Sequence, residues 1–141
     1  MATTTAAITL SNDIASSTAS ISASFELYKA GGVEGMDTLT SVRKVFKSTD
    51  QVDLINISVC NGAQHNFVYI HNASTDTTEF ITVTQGNAAA DSTEVIVEQI
   101  GRLYGGDWMF IPWDGAAGSA HDICIKPNVA TEMPIEYILF N

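Results

Sequence analysis

The chain has few charged residues and very few basic ones. Charged side chains make up 16% of its 141 residues, and 16 acids against 6 bases give a net charge of −10. Soluble domains carry about 25% charged residues on average, so we expect a surface formed largely by Thr, Ser, Asn, Gly and Ala. The acidic excess disfavours contact with DNA and with anionic membranes, and therefore predicts no nucleic-acid partner and no membrane partner.

Cysteine is scarce, and long apolar runs are missing. Cys60 and Cys124 each lie within an apolar stretch, where a cysteine usually behaves as a small hydrophobic residue. The sequence leaves open whether the two pair. No run of about 18 apolar residues is present to form a membrane-spanning helix, and the N-terminus MATTTAAITL lacks the basic and apolar segments of a secretory signal. We therefore expect the chain to fold in a cytoplasm.

Signatures of catalysis are also absent. The sequence contains no G-x-S-x-G, H-E-x-x-H or C-x-x-C pattern. The glycine-rich stretch 101–106 is not followed by a sequence that favours the helix of a dinucleotide or phosphate site. Asp107, Asp114 and Asp122 lack the spacing of a calcium loop and are typical of turns. We predict no enzymatic activity, no cofactor and no metal site; a small hydrolase using an aspartate pair between residues 107 and 122 is the enzymatic alternative.

What the sequence does contain is a period-two alternation of apolar and polar residues. Residues 20–28, for example, place Ile21, Ala23, Phe25 and Leu27 on one side, which is typical of a half-buried strand. Similar segments recur roughly every ten residues as VDLINISVC, NFVYIHN, EFITVTQ, TEVIVEQI, DWMFIP, HDICIKP and PIEYILF. This spacing predicts an all-β fold, a single-domain antiparallel β-sandwich or jelly roll of about 8–10 short strands.

The N-terminal residues differ from the rest in composition. Ala, Thr and Ser dominate residues 1–19. We predict that 1–19 forms an N-terminal arm or an edge strand and that 20–141 forms the β-sandwich domain. Whether the arm lies on a neighbouring molecule or is a frayed tail stays open at this stage.

Both tryptophans of the chain lie in the segment DWMFIPW, residues 107–113. Alternation divides it into two sides, one with Trp108, Phe110 and Pro112 and the other with Met109, Ile111 and Trp113. A strand that is apolar on both sides must be covered on both sides, so one side can fill the core while the other requires a loop, another subunit or a ligand. The predicted interface residues are Tyr104, Trp108, Met109, Phe110, Ile111 and Trp113. Two interpretations remain: the tryptophans are core and interface anchors, or Trp108 or Trp113 stacks on a sugar.

Three segments carry a resemblance to a known class of proteins. The opening MATTTAAITLSNDIASS, the segment IGRLYGGDWMFIPWDG and the tail IKPNVATEMPIEYILF resemble small virion structural proteins of the tailed phages that infect marine cyanobacteria. The run GRLY-x-GDWMFIPW is the most specific of them. The resemblance implies a non-enzymatic building block, present in many copies, that is assembled in the host cytoplasm into the virion, and it implies no catalytic residues.

Within such a particle, a small acidic β-domain suits a decoration or cement protein on the capsid exterior. The expected partners are the major capsid protein or other virion proteins, and a homo-oligomer is expected, for which a trimer at a local three-fold axis is natural. The alternative is a tail, neck, baseplate or fibre component, with a receptor-binding or glycan-binding role for Trp108 or Trp113.

Overall fold

β-Strands dominate the computed structural model, which describes residues 4–11, 20–29, 32–36, 38–60, 65–88, 95–115 and 121–141. No α-helix occurs among these residues. The alternating pattern explains this result, because it gives each strand one apolar and one polar side. The predictions of an all-β fold and of antiparallel sheets packed as a sandwich are confirmed.

The described residues contain ten strands and one short 3₁₀ helix. The strands are β1 (Thr4–Ser11), β2 (Ser20–Leu27), β3 (Leu39–Phe46), β4 (Val52–Ile55), β5 (Asn66–Asn72), β6 (Phe80–Asn87), β7 (Val95–Tyr104), β8 (Trp108–Trp113), β9 (Asp122–Pro127) and β10 (Met133–Phe140). The 3₁₀ helix, Ile57–Cys60, follows β4. The chain divides into two compact units, Met1–Asp37 and Thr38–Asn141.

The first unit contains a two-stranded antiparallel hairpin. β1 pairs with β2 from Thr4 opposite Leu27 to Ser11 opposite Ser20. The sequence grouped Ser20–Leu27 with the sandwich because its alternation resembles that of the later strands, whereas in the structure its pairing partner is β1. The rest of the predicted arm, residues 1–3 and 12–19, lies outside the described residues.

The second unit contains two four-stranded sheets. Sheet I has the strand order β3-β10-β5-β8, and sheet II has the order β4-β9-β6-β7. Every neighbouring pair in both sheets is antiparallel. β6 and β7 are consecutive in the chain and pair in sheet II, whereas the next strand, β8, lies in sheet I. The order in which strands pair therefore differs from their order in the sequence.

One hydrophobic core joins the inner sides of the two sheets. Sheet I contributes buried side chains that include Val68, Ile70, Trp113, Ile135 and Leu139. Sheet II contributes others that include Leu54, Ile81, Val83, Leu103, Ile123 and Ile125. Burying one such side chain stabilises the fold by about 1.5–3 kcal/mol, so this shared core is the main term that holds the sheets together.

Both cysteines are buried as free thiols. Cys60 belongs to the hydrophobic core, and Cys124 lies on β9 with its Sγ 3.2 Å from Asp53 Oδ1. The disulfide that the sequence left open is therefore not formed. Burial raises the pKa of Cys60 to about 11 and that of Cys124 to about 12.

A tight turn carries the chain from sheet II to sheet I between β7 and β8. The amide of Asp107 donates to the carbonyl of Tyr104 at 2.8 Å. Gly106 has a φ of +90°, in the left-handed region that favours glycine. A Cβ on Gly105 would lie 2.2 Å from the carbonyl oxygen of Asp76. Both glycines lie in the turn. Gly105 leaves space for the Asp76 carbonyl oxygen, and Gly106 allows the positive φ.

Asn72, at the end of β5, holds this turn in place. Its amide donates to the carbonyl of Asp107 at 3.0 Å, and its carbonyl accepts from the amide of Gly106 at 2.8 Å. Its buried side chain donates to the carbonyl of Leu103 at 3.1 Å. These bonds connect the end of β5 to both sides of the turn, so they set the position at which β8 begins.

Candidate functional site

The outward side of sheet I carries a group of apolar and aromatic side chains outside the core cluster. Residues directly opposite one another on neighbouring strands point to the same side of a sheet, so the register defines this side in rows. From β3 through β10 and β5 to β8, the rows are Leu39, Phe140, Phe67, Pro112; Ser41, Ile138, Tyr69, Phe110; and Arg43, Glu136, His71, Trp108. These twelve residues are called the aromatic face.

Strand β8 has one side in the core and one side on the aromatic face. Trp113 is 4% exposed, and its Nε1 donates to the carbonyl of His121 at 2.9 Å. Met109 and Ile111 pack against the same core. Three of the six predicted interface residues therefore point inward, because alternation assigns them to the side that fills the sandwich. In particular, Trp113 has no exposed ring to offer a sugar.

The other three predicted residues lie on outward surfaces, but not on the same one. Trp108 is 48% exposed, and Phe110 is half-buried beside it on the aromatic face. Tyr104 is exposed too, but it belongs to β7 in sheet II, where its ring lies 5.2 Å from that of Phe80. Proximity in the sequence grouped Tyr104 with Trp108, whereas the turn between them places the two in different sheets.

The rings of the aromatic face contact one another across three strands. Phe67 and Phe110 are stacked with a centroid distance of 5.4 Å, and Phe140 meets Phe110 edge-on at 6.2 Å. Tyr69 lies 5.9 Å from Trp108. Such pairs contribute about 0.5–1.5 kcal/mol each beyond simple burial. These contacts restrict the conformations of the rings.

Sequence reasoning missed Phe67, Tyr69, Ile138 and Phe140 as members of this surface. The signal was present, since NFVYIHN and PIEYILF place these residues at alternate positions. Alternation shows which residues share a side, but it does not show which strands are neighbours. That information comes from the pairing of β10 with β5 and of β5 with β8.

The charged row of the aromatic face is internally paired. Arg43 Nη1 lies 3.1 Å from Glu136 Oε1, and His71 Nδ1 lies 3.3 Å from Glu136 Oε2. Exposed ion pairs contribute only about 0–1 kcal/mol to stability. These contacts matter more for binding: a molecule that covers this row would meet a Glu136 carboxylate whose oxygens already contact Arg43 and His71.

The aromatic face is partly exposed: Leu39 and Trp108 are exposed, Phe110 and Phe140 are half-buried, and Phe67 is buried. Its three rows, about 6.6 Å apart on four strands about 4.8 Å apart, cover about 400 Å² in projection, and one of the rows is charged. Leu39 and Val45 extend exposed apolar surface to the β3 edge. Contiguous apolar surfaces of about 300–600 Å² are often functional sites.

The buried acidic side chains of sheet II are occupied by structural hydrogen bonds. Asp122 Oδ1 accepts from the amide of Ile57 at 2.7 Å, and its Oδ2 accepts from Asn56 Nδ2 at 2.9 Å. Desolvation is the main cause that raises the pKa of Asp122. Asp107, by contrast, accepts from the amide of Tyr104 at the turn, at 2.9 Å. Both carboxylates therefore accept hydrogen bonds from backbone amides.

In the part of the chain that the structure describes, no group of three or more His, Cys, Asp or Glu side chains is arranged to hold a metal ion. No helix of the described residues is long and apolar enough to cross a membrane.

Comparison with known proteins identifies no relative. No family model matches the chain, and neither a curated protein nor a solved structure shows significant similarity to it.

Proposed function

We propose that this protein is a non-enzymatic virion structural protein that decorates a phage capsid and cements it, with the aromatic face as its docking surface. The observation that carries the proposal is the exposure of Trp108, which is 48% exposed on a strand whose opposite side fills the core. Apolar surface removed from water stabilises a contact by about 25 cal/mol per Å². A ring already packed against Tyr69 can contribute this energy with little loss of side-chain freedom.

The distribution of charge supports a protein partner at this face. The chain has a net charge of −10, yet in the charged row of the face Glu136 lies beside both Arg43 and His71. Burying an unpaired charge is strongly unfavourable, and a pair with good geometry reduces that cost. A neighbouring subunit can therefore cover the aromatic face without desolvating a lone carboxylate.

The size of the face sets what a single contact can achieve. A standard stable interface takes about 800 Å² from each partner, and the face supplies about 400 Å² in projection. We expect the strand edges and loops around it to add the remainder. In a capsid, many copies make the same contact, so a modest single interface is sufficient to brace the shell.

The test compares two charge substitutions at exposed aromatic positions. Trp108→Glu introduces a charge into the aromatic face, whereas Tyr104→Glu introduces one on sheet II. Loss of a central aromatic anchor costs about 2 kcal/mol or more, a factor of about thirty in affinity. We expect purified particles to lose Trp108→Glu protein and to keep the Tyr104→Glu control at wild-type occupancy. Equal occupancy for both variants would contradict docking through this face.

A second experiment tests cementing itself. Particles that lack the protein should release DNA at a lower temperature and after a milder osmotic shock than complete particles. If particles without the protein withstand both treatments as well as complete particles, the protein does not cement the capsid, even if it docks on it. A density map of the particle would then place the protein in the capsid, neck, tail or fibre.

One observation favours a second function, the binding of a host glycan by a tail or fibre protein. The exposed ring of Trp108 adjoins Tyr69 and the charged row, and aromatic platforms with a few polar groups are typical of small-ligand sites. For this function, Trp108→Ala abolishes adsorption to host cells while leaving incorporation into particles unchanged. Unchanged adsorption of that variant would exclude it.

A further inference from the structure

The β1–β2 hairpin of the first unit is a second candidate interaction surface. Among the described residues no third strand joins it, and its sheet is complete with two strands. A two-stranded hairpin is at best marginally stable in water, and independent stability needs three or more strands with a hydrophobic side. Pairing with further strands would therefore stabilise the hairpin more than it would stabilise either four-stranded sheet of the sandwich.

The hairpin has one apolar side and one hydroxyl side. On the apolar side, Ala6 is opposite Phe25, Ile8 is opposite Ala23, and Leu10 is opposite Ile21. The other side pairs Thr5 with Glu26, Ala7 with Ser24, Thr9 with Ser22, and Ser11 with Ser20. Leu10 is 53% exposed and Ile21 is 60% exposed. Leu27, opposite Thr4 at the other end of this side, is 1% exposed, so the apolar side is exposed at the end that carries Leu10 and Ile21 and buried at the end that carries Leu27.

The outer edge of β1 lacks the features that normally prevent strands from pairing. Proteins protect an exposed edge with proline, lysine, a bulge or a very short strand. β1 is eight residues long, TTAAITLS, and its pairing with β2 runs without a register shift. The end of the β2 edge is different, because Tyr28 bridges Gly35 and the amide of Met36 donates to the carbonyl of Leu27 at 3.0 Å. Among the described residues, the β1 edge has no such neighbouring segment.

Charge favours a second copy of this chain as the partner. Glu26 is the single charged residue of β1 and β2, whereas the whole chain has a net charge of −10. Acidic surfaces of two copies repel each other, and the hairpin, with one charge on sixteen residues, opposes self-association little. A strongly acidic or basic partner would find almost no charge here with which to form ion pairs.

We propose that β1 pairs antiparallel with β1 of a second copy around a two-fold axis, which forms a four-stranded sheet in the order β2-β1-β1-β2. A two-fold contact uses the same surface on both copies. A shift of one residue would bring an apolar side against a hydroxyl side, so even-numbered residues must lie opposite even-numbered residues. The two eight-residue strands overlap most fully when the axis passes beside Ala7 or Ile8, at the middle of β1. This inference goes beyond the proposed function and does not depend on it.

Oligomeric mass is the first test, measured on the full chain by light scattering and sedimentation. Wild type should show twice the chain mass of 15.1 kDa. Ile8→Lys places two like charges close to the axis, which is destabilising, and should weaken the dimer at least tenfold. Ser22→Lys, on the hydroxyl side of β2, is the matched control and should leave it intact. Circular dichroism and tryptophan fluorescence establish that each variant keeps the sandwich fold.

Cross-linking is the second test, and it also defines the register. Ala7→Cys or Ile8→Cys, whichever lies on the axis, should form a disulfide between copies under mild oxidation, and Ser22→Cys should not. A monomeric or trimeric wild type would overturn the proposal, as would a dimer that withstands Ile8→Lys and forms neither cross-link. Incorporation of Trp108→Glu into particles is scored separately, so a failure here leaves the docking face untouched.

Discussion

Trp108 and Trp113 begin and end the same strand and have opposite environments. Trp113 is 4% exposed, and its ring nitrogen donates to the carbonyl of His121, whereas Trp108 is 48% exposed and its ring lies 5.9 Å from that of Tyr69. Five positions separate the two residues, an odd number, so a period of two places them on opposite sides. Trp113 therefore stabilises the fold, whereas the ring of Trp108 is exposed to solvent.

This difference predicts unequal effects on stability. Trp113→Ala removes a core side chain and the donor to His121, so it should lower the free energy of unfolding by about 3–5 kcal/mol. Trp108→Ala removes a half-exposed ring and one aromatic contact, so we expect a loss of about 1 kcal/mol. Urea denaturation followed by circular dichroism measures both. Similar losses for the two variants would mean that Trp108 is also part of the core.

The turn glycine Gly105 provides a second prediction, with a control glycine in the preceding strand β7. A Cβ on Gly105 would meet the Asp76 carbonyl oxygen at 2.2 Å, whereas a Cβ on Gly101 has nothing within 4 Å. Gly105→Ala must therefore move backbone, and we expect a loss of about 3 kcal/mol or more. Gly101→Ala should be neutral or stabilise by about 0.5–1 kcal/mol, since alanine restricts the unfolded chain. Thermal and urea unfolding of the two variants check the contrast, which fails if Gly105→Ala is neutral.

The cysteines should be unreactive while the protein is folded. Burial raises the pKa of Cys60 to about 11 and that of Cys124 to about 12, so at pH 8 both are neutral thiols, which are poor nucleophiles. Ellman's reagent should label neither thiol in the folded protein and both after unfolding. Rapid labelling of the native protein would contradict their burial.

The same pKa values predict how stability depends on alkaline pH. A thiol whose pKa is raised by folding contributes stability that is fully present below its unfolded pKa, near 8.5. The contribution is lost as the pH rises from that value through about 11 for Cys60 and about 12 for Cys124. Cys124→Ser and Cys60→Ala should each have a shallower loss of stability between about pH 8.5 and 11 than wild type. Identical pH profiles would show that these thiols do not contribute.

Asp122 predicts an effect in the acidic range. Its pKa is raised, chiefly by desolvation, so its contribution is largest below the ordinary value near 3.9 and declines as the pH rises through the folded pKa. Wild type should therefore gain stability relative to Asp122→Asn as the pH falls from 7 towards about 4. Asp122→Ala leaves the Ile57 amide without its acceptor and should cost about 1–3 kcal/mol at either pH. Unfolding measured at both pH values distinguishes these effects, and a pH-independent difference between wild type and Asp122→Asn would contradict the first.

The strands themselves were accessible to sequence reasoning, but the surfaces they form were not. DWMFIPW alternates so regularly that its extended form and its two apolar sides follow from the residues. Phe67 and Phe140, by contrast, lie 73 positions apart in the numbering and become neighbours only through the pairing of β5 with β10. Alternation carries no information about strand order, so the aromatic face could not be assembled from the sequence.

The N-terminal strands show the same limit. The alternation of SISASFEL predicted a strand correctly, and the composition of the first residues suggested a separate arm. The pairing of that strand with β1 was not indicated by the sequence, because apolar alternation looks alike in a hairpin and in a sandwich. Tyr104 is a further case, since a turn of a few residues placed it in a different sheet from Trp108.

Local periodicity and composition were enough to determine that this chain is an all-β protein, where its β8 strand lies, and that its surface has little charge. Tertiary structure alone decided that Met109, Ile111 and Trp113 face the core, that Trp108 joins a surface built from three other strands, and that the cysteines do not pair. The reason is physical. A strand's alternation is set by its own backbone geometry, whereas its neighbours are chosen by the burial that the whole chain can achieve.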